Sequence, residues 1–530
     1  MGPAPAPHLL LSASAIRGLE ARGLAATPPG TLMSRAADAV ADACVERLRS
    51  LPARTPVLAL VGPGNNGGDA LLAALRLAAR GFAVRAIALS ARRPDAGDAA
   101  RVRDAWDASG RTLGTPADLA DALAARPLVI DGLFGIGLAR PLDGAAAAVV
   151  ADVNDSELPV IAVDVPSGLD ADRGGVVGGV TGTAIRAAAT VTMLADKPGL
   201  RTGAGSAHAG RVTIADLGLP ALGVRPETVC GATGGPFPWG VLIDAATVGP
   251  LGAPRAADAH KGRFGDVLVV AGEASMRGAA TLAALGAQAV GAGRLYVGLD
   301  DDDPAATDPL HPELMTRRLR LRVATGEPAL GPATAVVAGC GLGRGERANR
   351  ALAAALDHPA ALVLDADGLN GVAADGALGA RLAARAAAGR PTVLTPHPLE
   401  AARLLGLGTA DVQQDRIGSA HRIAAATGAC VVLKGAGTVI ALPDGSWRVN
   451  ASGGPILSVA GTGDVLAGTI AGLLAAGLAP ADAASGGAWL HGAAGDALAA
   501  DPAWRGAIGL PASRLPDAIR ATVNRRAVRC

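Results

Sequence analysis

The stretch Val57-Leu-Ala-Leu-Val-Gly-Pro-Gly-Asn-Asn-Gly-Gly-Asp69 decides the fold class. Five apolar residues without polar alternation read as a strand buried on both faces, the mark of a parallel sheet. The glycines read as a turn, and a helical pattern follows from Asp69 to Arg80. A strand, glycine turn and helix in that order bring backbone N–H groups and the positive end of a helix towards an anion. The spacing is not G-x-G-x-x-G, so the ordinary dinucleotide fingerprint is absent. The plain reading is a tight connection with Asp69 as helix cap. Paired Asn, paired Gly and Asp exceed what a cap needs, and we read Asn65–Asp69 as a binding loop.

The same grammar repeats outward from this point. Helical patterns at about 12–22 and 31–49 precede it. Strand candidates follow at 83–89, Leu128–Asp131, Val160–Asp164, Thr190–Leu194 and Val212–Ile214. Residues 218–238 are rich in Gly and Pro and lack periodicity. A second series begins near Val241, with strands at Val267–Ala271, Leu295–Leu299, Ala335–Gly339, Ala361–Asp365, Thr392–Thr395, Cys430–Leu433 and Thr438–Leu442. Strong helices are predicted at 463–476 and 481–499. The chain is thus read as α/β in two domains, 1–218 and 245–530, joined by a linker at 219–244. No internal repeat relates the halves.

Composition narrows the function. The 530 residues carry 48 basic and 47 acidic side chains, and aromatics make up 2%. A net charge of +1 and so few stacking rings exclude a broad nucleic-acid surface. The five cysteines are scattered without C-x-x-C spacing, which argues against a disulfide framework or a structural zinc and fits a reducing compartment. The N-terminus lacks the basic region of a secretory signal. The apolar run from Val465 to Ala479 is Gly-rich, short for a span, and reads as a buried helix. A cytoplasmic protein without membrane contact is expected. Only three lysines occur, Lys197, Lys261 and Lys434, each beside Gly or Pro. Where arginine has replaced lysine almost everywhere, a surviving lysine marks a place that needs a compact point charge on a thin stem.

In the first domain three strand ends carry polar clusters: Asn65–Asp69, Ile130-Asp-Gly-Leu-Phe-Gly-Ile-Gly-Leu-Ala-Arg-Pro141, and Ile161-Ala-Val-Asp-Val-Pro-Ser-Gly-Leu-Asp170. A parallel sheet brings all three to its carboxyl edge, where ligands bind. Each Asp alone could simply cap a strand end; three loops together argue for a site. In the second domain Ala460-Gly-Thr-Gly-Asp-Val-Leu-Ala-Gly468 frees the backbone to wrap an oxyanion. It also places Asp464 in a helix's first turn, where it can take a hydroxyl proton. Taken alone, it could equally be a glycine turn with an acidic first turn. Supporting pieces are Val432-Leu-Lys-Gly-Ala-Gly-Thr438, Leu394-Thr-Pro-His-Pro-Leu-Glu400, Leu364-Asp-Ala-Asp-Gly-Leu-Asn370 and Gly339-Cys-Gly-Leu-Gly343.

Residues 10–218 resemble the NAD(P)H-hydrate epimerase domain of the YjeF N-terminal family. The resemblance rests on GPGNNGGD at 62–69, DGLFGIGLARP at 131–141, DVPSGLD at 164–170 and DKPGL at 196–200. It implies a Rossmann-like three-layer αβα sheet. It further implies that Asn65, Asn66, Gly67, Gly68, Asp69, then Gly135, Ile136, Gly137, Leu138, Ala139, Arg140, Pro141, and Asp164 bind the hydrated dinucleotide. A potassium ion would be held by Asn66, Asp131 and Ser167, hard oxygen donors for a hard cation. Asp164 is expected to transfer the proton. Ala70 stands where this family commonly has Gly.

Residues 245–525 resemble the ribokinase-like ADP/ATP-dependent NAD(P)H-hydrate dehydratases, through KGxxG, GxGLG, DADxLN, TPHPxE, LKGxxT and GTGD in order. That resemblance implies a second αβα sheet, with Lys434, Gly435, Ala436, Gly437, Thr438 and Gly463 on an adenine nucleotide. Ala279, Gly341, His397 and Asp464 would contact the hydrate, and Asp464 would be catalytic. Magnesium would bridge the nucleotide phosphates. Gly272-Glu-Ala-Ser departs from the usual Gly-Gly-Ser, and Asp367-Gly-Leu-Asn has Gly where Ala is typical. The expected function is repair of hydrated NADH and NADPH by a homo-oligomer. The rival is a hydroxyl kinase fused to a nucleotide-binding regulatory or dimerisation domain.

Overall fold

The computed structural model describes residues 8–90, 92–94, 96–219, 237–248, 251, 255–271, 273–299, 308, 310–319, 330–506 and 508–527. Strand β1 (Leu9–Leu11) is followed by β2 (Val57–Val61), β3 (Val84–Ala88), β4 (Leu113–Gly114), β5 (Leu128–Gly132), β6 (Val160–Val163), β7 (Ala189–Met193) and β8 (Arg211–Ala215). Then come β9 (Trp239–Ile243), β10 (Asp266–Ala271), β11 (Arg294–Leu299), β12 (Met315–Arg318), β13 (Ala335–Ala338), β14 (Ala361–Leu364), β15 (Thr392–Leu394), β16 (Cys430–Leu433), β17 (Val439–Ala441) and β18 (Trp447–Asn450).

Seven strands form one sheet in the order β4-β3-β2-β5-β6-β7-β8, with every pair parallel. The pleat divides β2 between two cores. Val57, Ala59 and Val61 pack under one helical layer, and Leu58 and Leu60 under the other. The second sheet has eleven strands, β1-β9-β18-β17-β16-β15-β14-β13-β10-β11-β12. It is parallel from β12 to β16 but antiparallel at β16–β17, β17–β18 and β1–β9. Its pleat likewise sends Val267 and Val269 to one core and Leu268 and Val270 to the other.

Three expectations need correction. Asn65–Asp69 is not a loop: the helix Asn65–Ala79 begins at Asn65, with Gly64 as its cap, so these residues form its first turn and Asp69 caps nothing. Residues 239–243, read as part of the linker, are strand β9. Leu9–Leu11, read with the first domain, pairs with β9 in the larger sheet, Leu9 opposite Val241 and Leu11 opposite Trp239. A pairing so distant in sequence leaves no local periodicity to read. Most of the Gly/Pro-rich connection, together with Gly272, Cys230 and Cys530, lies outside the described residues. Cys44, Cys340 and Cys430 are buried and free.

The apolar run near 465 is the helix Thr462–Ala475, buried along nearly its whole length. It packs on the helix Arg277–Ala289 at backbone contact: a Cβ on Gly468 would lie 1.8 Å from Ala283 O, so glycine is obligatory there. This close packing fixes Gly463 and Asp464 at the sheet's edge. No helix among the described residues is long and apolar enough to cross a membrane.

Candidate active sites

The chain leaves β2 towards β3 on one side and β5 on the other, and a crevice opens at the carboxyl ends where the order reverses. Asp131, at the end of β5, is fully buried. Its Oδ1 accepts from Ser167 Oγ at 2.6 Å and from Leu133 N at 3.2 Å, and its Oδ2 accepts from Ser167 N at 2.8 Å. Burial outweighs these bonds and pushes Asp131 up to about 6; among the described residues no cationic side chain opposes it.

Asp164 follows β6 with φ +67°, a left-handed conformation costing a non-glycine residue roughly 1 kcal/mol. The turn is held by Asp164 N donating to Val191 O at 2.7 Å and Met193 N donating to Asp164 Oδ1 at 3.1 Å. Lys197, wholly buried, reaches the same Oδ1 at 2.8 Å and donates to Thr192 Oγ1 at 2.7 Å and Met193 O at 3.1 Å. A Cβ on Gly135 would sit 3.3 Å from both Asn66 Oδ1 and Asp164 Oδ2, so these three residues meet at one point. The Asn66 amide nitrogen is buried without a partner among the described residues.

That point opens into a cavity of about 450 Å³. Asn65, Asn66, Asp69, Gly135–Leu138 and Asp164 line it. Gly67 and Gly68 are buried and pack behind the helix start: a Cβ on Gly67 would meet Gly62 O at 2.1 Å. Ala139, Arg140 and Pro141 are exposed and do not line this cavity. Ala70 fits its non-glycine place because Gly132 faces it; a Cβ on Gly132 would lie 2.3 Å from Ala70 Cβ. Sequence reading missed Arg17 and Glu20, which reach the cavity from the helix Ala13–Ala26. Their helix carries no motif, so nothing local marked them. Burial and then Asp164 raise the Glu20 carboxyl, and burial with Asp164 and Glu20 pushes Asp69 well above the usual carboxylate range.

The second site lies where β13, β14, β15 and β16 end side by side. Asp365, 1% exposed, is its hub: Lys434 Nζ reaches Asp365 Oδ1 at 2.6 Å. Burial would depress Lys434, but Asp365 and then Glu400 outweigh it and raise its pKa. Gly463 adjoins this pair; a Cβ there would be 3.3 Å from Lys434 Nζ and 3.8 Å from Asp365 Oδ2. Ligand atoms of Cys340, Asp365 and Asp464 lie within 4.8 Å of one another. Burial and then Asp365 push Asp464 up to about 6, although the Cys340 thiol bonds to it.

His397 caps the helix Pro398–Leu405. Its Nδ1 accepts from Leu399 N at 3.1 Å and Glu400 N at 3.3 Å, which assigns the remaining proton to Nε2, 3.2 Å from Glu400 Oε1. Burial, and then Lys434, hold this imidazole below its usual range, while burial pushes Glu400 up to about 7. Gly341 meets Ala279 at the start of the helix Arg277–Ala289: a Cβ on Gly341 would be 3.2 Å from Ala279 Cβ. Of the three lysines, Lys197 and Lys434 thus pair with site carboxylates, and Lys261 is exposed.

The sequence profile of the YjeF-related protein N-terminus matches residues 29–199, and that of the NAD(P)H-hydrate dehydratases matches 267–520. Bifunctional NAD(P)H-hydrate repair enzymes are similar over nearly the full length. That of Moorella thermoacetica is 36% identical, covering 89% of this chain and 88% of its own. That of Gloeobacter violaceus is 41% identical, covering 83% and 84%. A solved ADP/ATP-dependent NAD(P)H-hydrate dehydratase from Bacillus subtilis, co-crystallised with ATP and Mg2+, is 32% identical with a TM-score of 0.44; the match covers 52% of this chain and 94% of that one. By its two consecutive domains and this identity to whole-length relatives, the chain belongs to the family of bifunctional NAD(P)H-hydrate repair enzymes.

Proposed function

We propose that the first site interconverts the R and S forms of hydrated NADH and NADPH, and that the second dehydrates the S form with ADP or ATP. The products are the restored NAD(P)H, AMP or ADP, and phosphate. The observation that carries the reading is the second rim: Asp464 and Gly463 open a buried helix beside the Asp365–Lys434 pair at 2.6 Å. Hydroxide leaves a carbon poorly. Asp464 accepts the C6 hydroxyl proton while the hydroxyl oxygen takes the phosphoryl group. The ring nitrogen's lone pair then expels phosphate, and loss of the C5 proton restores the dihydropyridine. Lys434–Thr438 and Gly463 would hold the nucleotide, and Ala279, Gly341 and His397 the hydrate. The pocket must align one hydroxyl with one donor and so accepts one epimer, which is why an epimerase is joined to it.

In the first site we assign proton transfer at the C6 hydroxyl to Asp164, with Asn65, Asn66, Asp69 and Gly135–Leu138, which line the cavity, holding the dinucleotide. Asn66, Asp131 and Ser167 suit potassium. Their donors are hard oxygens, and among the described residues no cationic side chain acts on the buried Asp131. Potassium bound there would neutralise the buried carboxylate. The Cys340–Asp365–Asp464 group does not suit magnesium: the thiol is soft and Asp365 is already held by Lys434, so the nucleotide's own phosphates would carry that ion. The buried free cysteines support a cytoplasmic setting.

The test supplies both hydrate epimers with ADP or ATP and follows restored nicotinamide absorbance together with phosphate. Complete restoration with equimolar phosphate is expected. A stable phosphorylated product would instead establish the kinase rival. Replacing potassium by tetramethylammonium should slow only epimerisation.

A further inference from the structure

The loop Lys434–Thr438 is built against the other domain. Thr202 Oγ1 donates to Gly437 O at 2.6 Å, and Gly203 N donates to Ala436 O at 3.1 Å. The approach leaves no space for a side chain. A Cβ on Gly437, whose φ is +59°, would fall 1.9 Å from Arg201 O. Arg416, 1% exposed, binds the arrangement from beneath. Its Nε donates to Thr202 Oγ1 at 3.0 Å, and its Nη2 donates to Leu433 O at 3.1 Å and Lys434 O at 3.0 Å. Gly435, at φ +128°, and Gly437 give this loop many alternative conformations when nothing restrains it. A loop that must be ordered on binding loses affinity, and one already held does not.

We propose that the first domain completes the nucleotide site of the second, with Thr202 as the positioning residue that fixes the main chain of Gly435–Thr438. This rests on the reading of that loop as the nucleotide's seat. The Thr202 Oγ1 bonds only to protein, donating to Gly437 O at 2.6 Å and Ala436 O at 3.3 Å and accepting from Arg416, so on this proposal it acts through those groups. Its loss therefore appears in nucleotide affinity before it appears in chemistry. The same short segment carries Lys197 at its other end, on the Asp164 carboxylate, so one turn serves both sites.

The experiment measures dehydratase initial rates of the full chain over a range of ADP, and separately of ATP, for Thr202→Val and Thr202→Ser. Valine should raise the nucleotide KM about tenfold, the effect of one lost buried hydrogen bond. The KM for hydrate and the kcat at saturating nucleotide should change far less, and serine should restore the unaltered KM. An unchanged nucleotide KM, an equal change in all three parameters, or failure of serine to restore would overturn the proposal. If the valine chain does not fold, Arg416→Lys is read by the same split. Hydrogen exchange of the unaltered chain tests the underlying reading by itself: ADP or ATP should protect the amides of 434–438. Absence of that protection refutes the loop's assignment, whatever the variants do.

Discussion

Each of the two sites places a lysine at the carboxyl edge of a sheet, yet the lysines touch different carboxylates. Lys197 grips Asp164 itself, at 2.8 Å. Lys434 grips Asp365, at 2.6 Å, and leaves the neighbouring Asp464 raised to about 6 by burial and by Asp365. The same residue types thus yield a carboxylate held in an ion pair at one rim and a carboxylate raised by burial at the other. Which oxygen the cation reaches, more than which residues are present, sets the chemistry.

The largest expected effect separates the rims outright. Asp464→Asn should lower dehydration about 10²–10⁴-fold and leave epimerisation intact, followed as phosphate release against epimer ratio by chromatography. Asp164→Asn should do the converse, lowering epimerisation by about 10²-fold; half of an epimer mixture would then remain unrepaired on the assay timescale. Equal loss of both activities in either variant would break the division of labour.

Lys197→Met tests the locked pair. It strands a carboxylate in a buried place and should cost about 3–5 kcal/mol of stability, read as the denaturation midpoint of the first domain. The proposed role of Asp464 is tested by pH. Asp464 must be ionised to accept a proton, so dehydratase kcat/KM should be flat above about 6 and fall about tenfold per unit below it. A flat profile down to pH 5 would remove Asp464 as the base. Smallest, Ala70→Gly should destabilise the helix Asn65–Ala79 by about 0.5–1 kcal/mol with little change in either rate.

The strands at both rims were legible because buried parallel strands are continuous apolar runs, and their following motifs named the edge. Lysine scarcity marked Lys197 and Lys434, since a biased composition makes each exception informative. The same signal failed at Lys261, which is exposed. Glu20 and Arg17 were hidden because a cavity-facing residue on an ordinary amphipathic helix looks like any solvent-facing one. The start of the helix at Asn65 was hidden too, because glycines and asparagines favour turns and only the anchoring of Gly67 against Gly62 makes them helical here. Strands β1, β4, β12 and β18 escaped notice: β1, β4 and β12 are sheet edges, and β12 and β18 carry polar residues in place of a continuous apolar run.

Strand β1 carries a consequence for synthesis. Leu9–Leu11 is synthesised before the whole seven-stranded sheet, and its partner β9 only after it. The smaller body must therefore mature with β1 still lacking its strand partner, and the larger one closes its edge by recovering residues translated long before. A ribosome stalled before Trp239 would hold a nascent chain in which β1 lacks its antiparallel partner and is held only by the first domain, where Leu11 N donates to Asp196 O at 2.9 Å. Assembly of the two bodies is in this sense a single, late event.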